Sequence, residues 1–212
     1  MLYPLRLDIA ALTTSPLPID LSLVKQHCSV TDTRTDDILT LYTKAAIEWA
    51  EGYMHRTIFS RSHVWVLKHF PWDTLREEIR LPRGKTQSVE SIEYRTNGTT
   101  FTLRGPSSGS PAGSDYQEDL RGDHGGSIMP PRTSIWQIAD YREISPVTIN
   151  FTAGWAANEV PADIIHAILF AVEDAFDIRG TADIDPRSLR NNGPNLHARE
   201  SLLSGWMLSR WH

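Results

Sequence analysis

Between residues 35 and 55 apolar side chains recur at steps of three and four: Ile38, Leu41, Tyr42, Ala45, Trp49 and Tyr53. That period gathers them on one face of a helix, and Asp36 and Asp37 stand where the positive end of the helix dipole favours acids. Aromatic residues at this spacing read as core packing rather than as a ligand cradle. The same period returns after Pro161, a residue tolerated in a first helical turn. It runs through Ile164, Ile165, Ile168, Leu169, Val172 and Phe176 until Arg179-Gly180 closes it. This apolar face is wide enough to meet a helix and a sheet at once. A shorter helix over about 20–28 begins at Asp20 as N-cap and carries Leu21, Val24 and Cys28.

From residue 60 the period changes to two. The stretches "HVWVLKHF", "EEIRLP" and "PVTINF" read as strands, the last alternating Val147, Ile149 and Phe151. "SIEYRTNGTTFTL" places Ile92 and Tyr94 before Asn97-Gly98 and Phe101 and Leu103 after it, the pattern of a hairpin closed by a two-residue type I′ turn. Together these predict a small, mostly antiparallel sheet. Residues 105–135 are rich in Gly, Pro and Ser and form either a long loop or strands with long connections, a length that suits contact with a neighbour. The fold class is therefore α+β: two long helices and a short N-terminal one packed with a mostly antiparallel sheet, followed by an extended C-terminal tail.

Length and composition narrow the classes. With 212 residues and 40% hydrophobic content the chain can hold one sizeable core with extensions. We expect a core domain over 1–180, including an N-terminal extension and the 105–135 loop, and a C-terminal extension over 181–212. The balance of 21 Lys+Arg against 26 Asp+Glu gives a net charge of -5, and no basic run marks a phosphate-tracking stripe, which disfavours sequence-specific nucleic-acid binding. An acidic wall can still stand beside a duplex and let it slide past. Cys28 is the single cysteine, so neither an internal disulfide nor a cysteine zinc site is expected. The first residues lack a basic start followed by an unbroken apolar run, and "AILFAV" is too short to span a bilayer, so no membrane partner is expected.

Chemistry-bearing motifs are sparse. Gly84-Lys85-Thr86 lacks the earlier glycine of a phosphate loop, because Ile79 stands in its place. Arg121-Gly122-Asp123 reads as a polar turn. The eight histidines show no ligand spacing, and Asp115, Glu118, Asp119 and Asp123 lack the ordered pattern of a calcium loop. No G-x-S-x-G elbow appears, and His27 beside Cys28 on one helix cannot aim its ring at the thiol. No catalytic residue, cofactor site or metal site is therefore assigned.

The ending "NLHARESLLSGWMLSRWH" asks for a cover. Its two tryptophans alone could bury roughly 300 to 500 Å², an upper bound near 8 to 12 kcal/mol at about 25 cal/mol per Å². Either a partner covers this tail or it folds back on its own chain.

In order and spacing, "LSLVKQHCSV", "DDILTLYTKAAIEWAEGYMHRTI", "IRLPRGKTQSVESIEY" and "VTINFTAGWAANEVPADIIHAILFAVEDAF" resemble the head-tail connector, or adaptor, proteins of tailed bacteriophages and gene transfer agents. The resemblance covers about residues 20–104 and 146–180 and rests on no catalytic signature. It implies a non-enzymatic virion protein of the head-tail neck, assembled in the bacterial host cytoplasm. Its copies would form a dodecameric ring beneath the portal, extend the DNA channel without sequence-specific binding, and meet a tail-side neck or stopper protein. In that family the segment after the last core helix docks on the portal. The resemblance thus implies portal contact by Leu202, Leu203, Trp206, Met207 and Trp211, with Arg199 and Arg210 on a polar rim. Two rival readings are a small hydrolase using His124 and Asp123, and a carbohydrate-recognition module presenting Trp136 or Tyr116.

Overall fold

The computed structural model describes residues 4–12, 17–71, 77–106, 114–140, 142–178 and 196–208. The chain divides into two compact units, each built from two stretches of sequence. The β unit comprises Met1–Ala11 and Ser60–Gly154, and the helical unit comprises Leu12–Phe59 and Trp155–His212.

In the β unit the strands are β1 (Pro4–Ile9), β2 (Arg61–Leu67), β3 (Ile79–Arg80), β4 (Thr86–Thr96), β5 (Thr99–Leu103), β6 (Gln117–Asp119), β7 (Ser127–Met129) and β8 (Val147–Ala153). Five of them form an antiparallel sheet in the order β1-β2-β8-β4-β5. Register sets Trp65 and Ile92 on either side of Ile149, and His63 beside Phe151, so the alternation foreseen in β8 lines one apolar face. The β4–β5 hairpin turns at Asn97 (φ 52°) and Gly98 (φ 75°), the two left-handed positions a type I′ turn requires. The order β3-β7-β6 makes a second, three-stranded antiparallel sheet. Its Ile79 and Ile128 join Trp65, Ile149 and Phe151 in one core cluster. In its described residues the 105–135 stretch thus takes the second of its two expected forms, strands with long connections.

Strands β1, β6 and β7 carry weak sequence signals. β1 opens on Pro4, places Arg6 and Asp8 between apolar residues, and has a register shift between Pro4 and Arg6. These are features of an edge strand that resists further pairing. β6 and β7 are only three residues each, too short for alternation to register.

The helical unit contains α1 (Leu21–His27), α2 (Asp36–Met54), α3 (Ala162–Ile178) and α4 (Leu196–Ser204). Asp20 caps α1, its carboxylate accepting the Ser22 N–H at 2.9 Å, a bond that also lowers the Asp20 pKa. Positions of α1, α2 and α3 follow the sequence periods closely, but α2 is turned by about one residue. Its buried face is Leu39, Thr43, Ala46, Ile47, Ala50, Glu51 and Met54; of the expected stripe, Tyr42, Trp49 and Tyr53 pack partly buried against the core, while Leu41 and Ala45 are exposed. The helix has apolar residues on more than one side, and a periodicity argument cannot rank two such stripes. Buried residues of α2 and α3 gather with Ile58, Phe59 and Trp155 into the unit's core. Helix α4 lies in the tail, where no regular period pointed to it.

Candidate assembly site at the C-terminal helix

The tail was the one segment whose apolar residues asked for a cover, and residues 196–208 find it in their own unit. Leu203 on α4 is fully buried in the helical core, and Leu202 and Trp206 pack against that core partly buried. This is the folded-back arrangement, with α4 resting on α3 and α2. Met207 is exposed, and Arg210 and Trp211 lie outside the described residues.

Arg199 faces the same interior. Its guanidinium donates to the Asp174 carboxylate at 3.0 Å and lies 4.7 Å from the Trp49 ring centroid, and Trp49 in turn stacks on Tyr53. The Asp174 side chain is only 5% exposed, so this pair is screened far less than a surface pair. Trp49, partly buried against the core, thus gains part of its cover from α4.

A second clamp forms where α2 ends. His55 takes the left-handed conformation of a helix C-cap, and Arg56 behind it is fully buried. Arg56 Nε donates to the Trp206 carbonyl at 2.9 Å, and its guanidinium lies 5.2 Å from the Trp155 ring and 5.9 Å from that of Trp206. The two indoles meet edge to face at 5.9 Å. Each cation over an indole contributes about 0.5 to 2 kcal/mol. The Leu208 N–H donates to the Met54 carbonyl at 3.0 Å, satisfying one of the carbonyls that a helix end leaves open. The tail therefore completes the C-terminus of α2. Sequence reasoning missed Arg56, Asp174 and Trp155 as its partners, because Arg56 lies 150 residues before Trp206, Trp155 sits in a different segment of the chain, and Asp174 lies 25 residues before Arg199, with no periodic spacing to join them.

The other motifs serve the fold. Arg83 and Gly84 have φ of 75° and 85°, making Gly84-Lys85-Thr86 the turn that leads into β4. Buried Thr86 accepts the Gly126 N–H through its hydroxyl at 2.9 Å. In the acidic cluster, Asp115 is forked by Arg104 at 2.8 and 3.0 Å, and Asp119 by Arg121 at 2.9 and 3.0 Å. Those guanidinium bonds hold the Asp119 pKa down to about 2, whereas burial raises that of Glu118. Among the described residues no three His, Cys, Asp or Glu side chains converge as metal ligands. Burial raises the Cys28 thiol pKa, and Glu173 and Asp177 raise it further, which keeps it a poor nucleophile. Trp136 and Tyr116, the rings suggested for a sugar platform, are buried. Trp136 stacks on Phe70 at 4.9 Å and donates its indole N–H to the Glu77 carbonyl, and burial pushes the Tyr116 hydroxyl up to about 12.

Comparison with known proteins places this architecture. Residues 18–98 match the family model of phage gp6-like head-tail connector proteins. The expected resemblance to head-tail connectors is borne out. Similar solved chains come from gene transfer agent particles. One, from the neck of an empty particle computed with C6 symmetry, has a TM-score of 0.71 at 17% identity, covering 98% of each chain. Another, from the virion of a native particle, has a TM-score of 0.69 at 16% identity, again covering 98% of each. A third, from the neck of a native particle computed with C12 symmetry, has a TM-score of 0.63 at 17% identity, covering 100% of this chain and 97% of that one. At such identities the likeness is one of fold, and it spans nearly the full length of the chain. No curated protein sequence matches.

Proposed function

We propose that this chain is a structural subunit of a phage-type head-tail neck, a connector whose copies form a dodecameric ring below a portal, extend the DNA channel and offer the attachment surface for a tail. The match of residues 18–98 to the connector family carries this reading, and the whole-chain fold shared with particle neck chains supports it. The role is assembly and not catalysis. DNA passes without sequence-specific contact, in keeping with an acidic chain. Assembly takes place in the host cytoplasm, and a tail-side neck or stopper protein meets the ring from below.

The portal contact proposed for the tail divides into two tasks. Leu203, Leu202, Trp206 and Arg199 hold α4 from inside, since their apolar and charged groups are engaged by the chain's own core. Met207, exposed just beyond α4, offers the contact together with Arg210 and Trp211.

Particles made without this chain test the reading. DNA-filled heads should accumulate without tails, and adding purified chain should restore joining. Tailed, infectious or transfer-competent particles formed in its absence would overturn it.

A further inference from the structure

Helix α2 uses only one of its two apolar stripes inside the chain. Around the helix from the buried face, Asp37, Leu41, Ala45, Glu48 and Gly52 form an exposed stripe, with Leu41 61% exposed. Gly52 has nothing within 4 Å of where a side chain would begin. A mid-helix glycine that packs against nothing costs stability relative to alanine, and it leaves the backbone open to close approach from outside. The outer stripe is apolar and small at its centre, with Asp37 at its rim and Glu48 paired to Lys44 at 3.9 Å.

The β unit displays an opposite surface. Within residues 135–144, Ile135, Ile138 and Ile144 are 44%, 68% and 84% exposed. They are fixed outward by their neighbours. Trp136 is stacked and hydrogen-bonded inside, Ala139 is buried, the Asp140 N–H donates to the Arg95 carbonyl at 2.9 Å, and the Glu143 carboxylate accepts the Gly98 N–H at 2.9 Å. The exposed charges beside them are Arg132 and Arg142. The acid paired with Arg142, Asp140, keeps a side chain only 19% exposed against 77% for the arginine. The three isoleucines alone leave roughly 300 Å² of apolar surface in water, about the size of the largest apolar patch on a typical monomer, which is often a functional one.

A cyclic ring requires two unlike surfaces on each copy, because its contacts are heterologous. The two surfaces just described are apolar at their centres, and exposed Arg132 beside the isoleucines is opposite in charge to exposed Asp37 at the rim of the helix stripe, as complementary interfaces are. Resting on the ring reading given above, we propose that the isoleucine segment of one copy docks on the outer stripe of α2 in the next copy. The occupant of each surface is thus a second copy of this chain.

The test uses full-length chain mixed with its portal, followed by mass measurement. Wild-type chain should form the ring, while Ile138→Asp and Leu41→Asp should each remain single chains with unchanged circular dichroism and Tm, both sites being exposed. In a Cys28→Ala background, Ile138→Cys and Leu41→Cys chains should cross-link to each other when mixed under mild oxidation, and neither should cross-link alone. Wild-type rings that survive both aspartate substitutions, or an assembled mixture that gives no mixed cross-link, would overturn this interface and leave the connector reading standing. Wild-type chain that never assembles would overturn the ring reading and this interface with it.

Discussion

In the β unit 12 lysines and arginines stand with 12 aspartates and glutamates, whereas the helical unit holds 9 against 14, so the whole net charge of -5 belongs to the helical unit. The arrangement differs as well as the count. Four arginines of the β unit pair with an acid two residues away: Arg6 with Asp8, Arg80 with Glu78, Arg121 with Asp119 and Arg142 with Asp140. Each such pair is local, so its charges cancel nearby and cast little field. Exposed Asp37, Glu48, Asp163 and Asp177 give the helices an acidic outside instead. A β unit without net charge that exposes isoleucines between its strands and an acidic helical unit differ in what they can meet: the first invites apolar contact, and the second repels phosphate and favours basic surfaces.

Cavity substitutions in the two cores break this comparison most strongly. Phe151→Ala in the β unit removes a fully buried ring stacked on His63, and a loss of about 3 to 5 kcal/mol is expected in urea unfolding followed by the near-ultraviolet signal. Leu203→Ala asks the same of the tail and should cost about 3 kcal/mol, the value for a core leucine. A change below about 0.5 kcal/mol, as at ordinary surface positions, would mean that α4 does not belong to the helical core.

Acid should separate the units next. Burial, followed by the charges of Arg61 and Arg83, outweighs the hydrogen bond to the Arg61 carbonyl and the charge of Glu90, and lowers the His63 pKa from 6.5 to about 4. The unfolded chain therefore binds a proton that the folded β unit refuses between those values. This stabilising contribution is complete above pH 6.5 and is lost as pH falls toward 4, amounting to about 2 to 3 kcal/mol. Unfolding midpoints of the wild type and His63→Phe measured from pH 7 to 4 should diverge in slope, the wild type falling faster.

The sheet was legible because one of its faces is buried and period two leaves no choice of face, as Val147, Ile149 and Phe151 illustrate. The Asn97-Gly98 turn was legible for a local reason, since few pairs accept two positive φ values. On α2 the position was legible but the face was not, because Leu41 and Ala45 continue an apolar pattern that the monomer leaves outside. In the candidate site, residue types pointed to burial of Leu203 and Trp206 but not to what buries them. Arg56, Asp174 and Trp155 come from distant parts of the chain, and a single sequence carries no spacing that joins them to α4.

Smaller effects sharpen the contrast between the charged pairs of the two units. Arg199→Ala leaves the nearly buried Asp174 without its guanidinium and uncovers Trp49, so a loss of about 1 to 3 kcal/mol is expected in the helical unit. Arg121→Ala removes an exposed pair and should leave the urea midpoint unchanged at physiological salt. Equal losses from the two substitutions would erase the distinction drawn between the units.

The connector role itself is tested most directly by the mass of portal particles titrated with the full-length chain of 23.9 kDa. A single step that stops at twelve added copies per portal, with no intermediate stoichiometry at saturation, is the predicted result. Portal whose mass stays unchanged while the chain remains at 23.9 kDa across the titration would contradict it.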